Sequence, residues 1–170
     1  MRRVLAVALA ASLFALIGVA KEQPVVSVSS EPTGLTVESQ KDGKKLIPGI
    51  DIYSDGSVAI RRYDGSEATK HIDAGAVHRL LDALARTNFY KVTEDSFHSE
   101  LASADKEGTT ERVVITDCPV WSLRTRIDGS TRSTRFYALW EMVEHYPKNR
   151  QLKTLQDAIL MVYAAVGEKT

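Results

Sequence analysis

The sequence predicts an α+β fold, in which helices pack on one face of an antiparallel sheet made of two hairpins and an extra strand. Each predicted hairpin is a pair of β-prone runs around an Asp-Gly-Ser turn, the first at Asp55 and the second at Asp128. Elsewhere, apolar residues recur at intervals of three and four positions, which is typical of helices with one buried face.

The start of the chain has the organisation of a secretory signal peptide. Arg2 and Arg3 give a basic start, residues 4–19 carry no charge, and small residues precede Lys21. An uncleaved anchor is the alternative, but this apolar run is shorter than the ~20 residues that cross a bilayer. We expect cleavage after Ala20, a periplasmic or secreted location, and no stable membrane span after processing.

Composition limits what the exported part can be. The 170-residue precursor has 22 basic and 22 acidic side chains, and cleavage would leave 20 against 22, a formal charge of −2. This balance gives no general attraction to nucleic acid, so we expect no nucleic-acid partner. A single cysteine cannot form an internal disulfide, so stability must come from packing.

These observations divide the chain into three parts: a signal peptide at residues 1–20, a flexible tether at residues 21–34 and a single domain at residues 35–167. The tether is rich in Ser, Pro and Val and lacks helical periodicity. At the start of the domain, residues 35–37 form a candidate short strand.

The first hairpin has two possible registers. A two-residue loop would pair Tyr53 with Val58 and mix polar with apolar groups on one face. We favour a three-residue loop with Gly56 in the left-handed conformation, because it places four apolar side chains on one face. These side chains are Ile50, Ile52, Val58 and Ile60.

A helix should follow, because Asp73 can cap its first turn and apolar residues recur behind it at helical spacing. The apolar stripe consists of Val77, Leu80, Leu81 and Leu84. Asn88 can end this helix in the left-handed conformation, which returns Phe89 and Tyr90 toward the core.

Residues 91–110 are polar and acidic and contain few apolar residues besides Phe97 and Leu101, so we expect a long exposed connection. Its side chains with ligand chemistry are Asp95, His98, Glu100 and Asp105. Their spacing matches no known cation loop, so we expect solvated charges and no metal site. Residues 113–115 are the candidate for the extra strand.

The second hairpin covers residues 120–136, with Asp128 and Gly129 as a two-residue turn that pairs Trp121 with Phe136 on the buried face. Alternation then places three arginines together on the opposite face, with Arg112 and Arg132 nearby. The three are Arg124, Arg126 and Arg135. Such guanidinium groups can bind carboxylates or phosphates of a partner, and the alternative is that they pair with acidic residues of this chain.

Two helices complete the predicted fold. The first covers residues 137–146 and must end before Pro147, which disfavours the helical conformation of its predecessor. The second ends at Gly167, a natural terminator, and carries one apolar stripe. The stripe consists of Leu152, Leu155, Ile159, Val162 and Val166.

The order of these motifs resembles a bacterial family of small exported proteins of unknown function, over residues 46–166. The shared order is strand, Asp-Gly turn, strand, helix, aromatic pair, acidic loop, and a strand entered through Thr-Thr. The residues that carry it are Ile52, Asp55, Gly56, Val58, Leu80, Leu81, Phe89, Tyr90, Asp95, Phe97, Asp105, Thr109 and Thr110. Members carry a Cys-Pro-x-aromatic motif before the first Asp-Gly turn, whereas Cys118 and Pro119 precede the second one here. The resemblance implies an exported domain and assigns no catalytic residue.

No sequence motif for nucleophilic catalysis, phosphate binding or metal binding occurs, and nothing near Cys118 would favour its thiolate. We therefore expect a binding or interaction domain without catalytic residues, cofactor or metal, whose partner is an acidic envelope or extracellular protein. One alternative is an enzyme that uses residues 91–110, for which a pocket would have to gather Asp95, His98 and a base. Another is a structural envelope component.

Overall fold

The computed structural model describes residues 22–31, 48–62, 64–105 and 118–168. Within these ranges the chain forms one six-stranded antiparallel sheet and four α-helices, which confirms the predicted α+β class. The strands are β1 (Val26–Glu31), β2 (Gly49–Ile52), β3 (Ser57–Arg61), β4 (Glu67–His71), β5 (Val120–Ile127) and β6 (Ser130–Tyr137). The helices are α1 (Ala74–Thr87), α2 (Glu94–Asp105), α3 (Leu139–His145) and α4 (Arg150–Val166).

The segment predicted as a tether contains a central strand of the sheet. The strand order is β4-β3-β2-β1-β5-β6, so β1 pairs with β2 on one side and with β5 on the other. The prediction of a flexible tether at residues 21–34 is therefore wrong over β1. The physical reason is burial, since Val26 and Val28 alternate with serines and point into the core, where both are fully buried.

The first hairpin, between β2 and β3, has the predicted three-residue register. Its apolar pairs are Ile52 with Val58 and Ile50 with Ile60. The backbone N–H of Tyr53 donates to the carbonyl of Ser57, and Gly56 has a φ of +90°. The four predicted apolar side chains are all buried on one face, which we call the inner sheet face.

The same turn chemistry recurs between β3 and β4. Asp55 accepts a hydrogen bond from the backbone N–H of Ser57, and Asp64 accepts one from that of Ser66, each at 2.8 Å. Strand β4 was not predicted from the sequence, because it is short, largely exposed and rich in charged residues. The repeated Asp-Gly-Ser sequence at Asp64 is the signal that could have revealed it.

The carboxyl group of Asp55 should titrate below its ordinary range. The Ser57 hydroxyl, 2.6 Å away, and the Ser57 backbone N–H both donate to it, and these bonds lower the pKa of Asp55. The stability they give is present above the ordinary pKa and is lost as the pH falls through the lowered pKa. Ser57→Ala should raise the pKa of Asp55 and leave that of Asp64 unchanged in an NMR titration of the carboxyl carbons. Equal shifts at both aspartates would contradict this assignment.

Gly56 should tolerate no side chain. A Cβ at this position would lie 2.1 Å from the backbone oxygen of Ile72, in addition to the strain of a positive φ. Gly129 is the matched control, since its φ is +75° and a Cβ there would meet nothing within 4 Å. Gly129→Ala should cost about 1–2 kcal/mol of unfolding free energy from backbone strain alone, and Gly56→Ala clearly more. Chemical denaturation of both variants measures the difference, and equal losses would show that the Ile72 carbonyl moves freely.

Helices α1 and α4 cover the inner sheet face; α1 begins and ends as predicted, and α4 ends as predicted. Asp73 caps α1 by accepting from the backbone N–H of Ala76, and Asn88 ends it with a φ of +57°. Asn149 caps α4, and Gly167 ends it in the left-handed conformation. The five apolar residues predicted for the α4 stripe are all buried in the core.

Helix α2 occupies residues 94–105 of the predicted exposed connection at residues 91–110, so that prediction is wrong there. Phe97 on α2 is only 1% exposed and packs edge-on against Phe136 and Tyr146, with ring centroids 5.6 and 5.5 Å apart. The helix was missed because only Phe97 and Leu101 mark its apolar face, too few residues for a clear period.

Helix α3 ends before Pro147, as predicted, and places Trp140 against Trp121 of β5 with ring centroids 5.0 Å apart. The predicted signal peptide, the strand candidates at residues 35–37 and 113–115, and Arg112 lie outside the described residues. Among the helices of the described residues, none is both long enough and apolar enough to cross a bilayer.

Candidate functional site

The second hairpin, between β5 and β6, has the predicted two-residue turn. Asp128 and Gly129 both have positive φ, at 50° and 75°, and this allows a tight turn that matches the twist of the strands. Trp121 lies opposite Phe136 in the resulting register, and both side chains are buried on the inner sheet face. Successive side chains of a strand point to opposite faces, so the neighbours of Trp121 on β5 and of Phe136 on β6 point to the other side of the sheet.

We call that opposite side the outer sheet face. Within the described residues, the helices and the buried apolar side chains lie on the inner sheet face, whereas most outer-face side chains are exposed or half-buried. On β1, β2, β3, β5 and β6 its polar side chains include Ser27, Ser29, Glu31, Asp51, Arg61, Ser122, Arg124, Arg126, Thr131, Ser133 and Arg135.

The three predicted arginines share the outer sheet face, with Arg124 between the other two. Arg124 and Arg126 are two residues apart on one strand, which separates their Cα atoms by about 6–7 Å. Arg135, on β6, lies opposite Ser122 of β5. It is therefore a diagonal neighbour of Arg124, with about 7–8 Å between such positions. Arg132 belongs to the other side of the sheet, where its guanidinium lies 4.9 Å from the centroid of the Tyr90 ring.

These three arginines differ in their partners. Arg135 forms an ion pair with Glu31 at 2.8 Å, in which both side chains are more than half exposed. Arg126 donates a hydrogen bond to the neutral side chain of Gln23. Arg124 is exposed and has no carboxylate partner within the described ranges. Internal pairing, the alternative raised by the sequence, thus holds for Arg135 and leaves two guanidinium groups without a described acidic partner.

Short side chains surround Arg124. Ser27 on β1 and Ser133 on β6 lie directly opposite it, and Ser122 and Ser29 form the neighbouring cross-strand pair. Because serine side chains are short, Arg124 is the longest side chain among these cross-strand neighbours, in a patch of the outer sheet face that we call the hydroxyl floor. The arrangement can present several N–H and O–H donors to the carboxylates of one partner surface.

A second charged group lies beside this floor and was not predicted from the sequence. Asp51 on β2 is 93% buried although it belongs to the outer sheet face, and it accepts a hydrogen bond from the Ser27 hydroxyl at 2.6 Å. The Arg61 guanidinium pairs with its other oxygen. The sequence Ile-Asp-Ile indicates that Asp51 points away from the core. Its burial could not be predicted, because its partner Ser27 lies on β1, which was assigned to the tether.

The other sequence candidates are not brought together. Asp95, His98 and Glu100 are exposed on α2, and no group of three His, Cys, Asp or Glu side chains occurs within the part of the chain that the structure describes. Cys118, the single cysteine of the sequence, is buried, and its backbone N–H donates to the hydroxyl of Tyr137.

Comparison with known proteins adds no relative: no family model, no curated protein and no solved structure matches this chain. The resemblance to the exported bacterial family therefore stays a prediction.

Proposed function

We propose that this chain is an exported binding domain without catalytic function, and that its outer sheet face binds an acidic envelope or extracellular protein. The observation that carries the proposal is the position of Arg124. It is an exposed arginine with serines opposite it on both neighbouring strands, and it has no acidic partner among the described residues.

Charge favours an acidic partner over other occupants. Near the second hairpin, the outer sheet face presents three arginines. Glu31 offsets one of these charges through its ion pair with Arg135. Asp51 does not offset this excess, because Arg61 and Ser27 already occupy its two oxygens. Guanidinium groups match carboxylates in bidentate geometry, so acidic side chains of a partner are the chemical complement of this surface.

Arg124→Glu combined with Arg126→Glu should abolish binding to an acidic envelope or extracellular protein and leave the melting temperature nearly unchanged. Arg124 is exposed, and Arg126 is half-buried with one hydrogen bond to the exposed side chain of Gln23. Changes at surface positions of this kind shift stability by only about 0.5 kcal/mol. The partner would be captured from an envelope extract on the wild-type protein, identified, and titrated against both proteins. Added salt should weaken the wild-type complex, because exposed charges are screened beyond about 8 Å at physiological ionic strength.

The matched control is Arg79→Glu combined with Arg86→Glu, which makes the same charge change on the exposed side of α1. This control should bind like the wild type. Equal loss of binding in both double variants would show that net charge alone attracts the partner. Unchanged binding in the outer-face variant would refute the proposed surface, and its unfolding would show that the arginines are structural.

The export part of the proposal has its own measurement. Cleavage after Ala20 would leave Lys21 as the first residue, shortly before the described fold begins at Glu22. Glu22 already takes part in the fold, since it accepts a hydrogen bond from the Ser54 hydroxyl at 2.6 Å. Intact-mass analysis of protein recovered from outside the cytoplasm should give a chain that starts at Lys21. A membrane-bound species that retains residues 1–20 would refute it.

A further inference from the structure

Strand β6 is one edge of the sheet, and its backbone alternates between two directions. Ala138, directly after β6, donates its backbone N–H to the carbonyl of Pro119, directly before β5. The even-numbered residues of β6 therefore direct their backbone N–H and C=O groups toward β5. The odd-numbered residues must then direct their N–H and C=O groups away from the sheet. Tyr137 confirms this direction, because its backbone N–H leaves the sheet and donates to the Glu94 carboxylate at 2.9 Å.

The remaining odd-numbered residues of β6 are Thr131, Ser133 and Arg135. All three are exposed, and within the described residues their outward backbone groups have no hydrogen-bond partner. The strand is eight residues long and pairs with β5 over its whole length without a bulge. A regular edge of this length is a template for an added strand.

We propose that the acidic partner binds by adding an extended segment to the β6 edge as a further strand of the sheet. This inference rests on the proposed function and specifies its mode: main-chain hydrogen bonds to Thr131, Ser133 and Arg135, with acidic side chains of the segment over the outer sheet face. There they lie beside Arg135 and within reach of Arg124 on the next strand. Strand addition of this kind takes affinity from the backbone and specificity from alternate side chains.

Charge selects an acidic segment over a second copy of this chain. β6 carries Arg132 and Arg135 and no acidic residue, and β5 adds Arg124 and Arg126 beside it. Pairing β6 with the β6 of another copy would bring like charges together, whereas glutamates opposite these residues form favourable cross-strand pairs. Glu94 already provides a local example, in which a carboxylate satisfies a backbone N–H of this edge.

The opposite edge of the sheet is built differently. β4 has five residues, three of them charged or histidine, and the side chain of Lys70 is held by Glu168. Short, charged edge strands resist pairing with other chains. The two edges therefore supply a comparison within one molecule, since only β6 combines length, regularity and a basic surface.

The probe for the test is a synthetic peptide that alternates glutamate and valine, titrated against the full protein by fluorescence anisotropy. Ser133→Pro removes one outward N–H and places a ring at the edge, without removing a hydrogen bond to β5. It should weaken binding at least roughly tenfold, about 1.4 kcal/mol. The control Thr69→Pro makes the same change at an outward position of β4 and should leave the affinity unchanged.

A second arm does not depend on the fold of any variant. Two versions of the peptide carry N-methyl groups on alternate amides, one version for each alternating set. Strand addition requires that one set faces β6, so one version should lose binding to the wild-type protein and the other should retain it. A version in which lysine replaces glutamate should not bind.

The outcomes separate this inference from the proposed function. Suppose that both N-methylated peptides still bind, that Ser133→Pro has no effect, and that the Arg124 and Arg126 double variant loses binding. This result refutes strand addition and leaves binding of acidic groups by the outer sheet face in place. Absence of binding by the glutamate peptide at low salt overturns strand addition. Failure of the captured protein to respond to the outer-face double variant overturns the proposed function itself.

Discussion

Replacing Phe97 by alanine should lower the unfolding free energy by about 3–5 kcal/mol, the usual cost of deleting a buried phenylalanine ring. The ring is almost completely buried and fills the space between Phe136 of β6 and Tyr146 after α3. Its removal would leave a cavity that three elements cannot easily close. Chemical denaturation, monitored by the circular dichroism of the helices, measures the loss of unfolding free energy.

Glu100→Ala is the matched control, because Glu100 lies on the exposed side of the same helix. It should change stability by no more than about 0.5 kcal/mol. Phe97 would behave like Glu100 if residues 91–110 were the exposed connection that their composition indicates. A small effect of Phe97→Ala would therefore contradict the packing of α2 on the sheet.

Replacing Val28 by aspartate should prevent folding or cost more than about 4 kcal/mol, because it buries an unpaired charge. Val28 is fully buried, and its strand pairs on both sides, with Ile50 of β2 and with Leu123 of β5 opposite it. An aspartate between these apolar side chains could find no cation or backbone donor, since the ladders already use the neighbouring backbone groups.

Ser29→Asp provides the control one position along the chain. Ser29 points to the outer sheet face, beside the arginines, so its replacement should be neutral or slightly stabilising. Thermal unfolding of both variants gives the comparison. Two folded, equally stable variants would mean that residues 26–31 are a tether after all.

Local chemistry explains which parts of the fold could be predicted. The Asp-Gly turns, the Asp73 cap and the Gly167 terminator act over a few residues, and each was recognised from the sequence. β1 was not, because its six residues become a strand only through partners distant in sequence. Helix α2 was also missed, because its apolar face consists of little more than Phe97, and its packing depends on residues distant in sequence.

The candidate site divides in the same way. That Arg124, Arg126 and Arg135 share a face follows from the turn and from strict alternation, both local properties. Three features depend on where β1 is inserted and on which strand ends the sheet: the burial of Asp51, and, among the described residues, the lack of an acidic partner for Arg124 and of a strand beside β6. Neither could be read from periodicity, because strand order is a property of the whole chain.

The position of β1 also determines when the molecule can become complete. β1 is the first strand of the chain, yet it joins β2 and β5, and Arg124 lies almost one hundred residues after its partner Ser27. A chain that emerges from its N-terminus therefore cannot close the sheet until its last third has appeared, and contacts of this range are slow to form. Until β5 has been made, β1 can pair only with β2, and one of its two edges stays open.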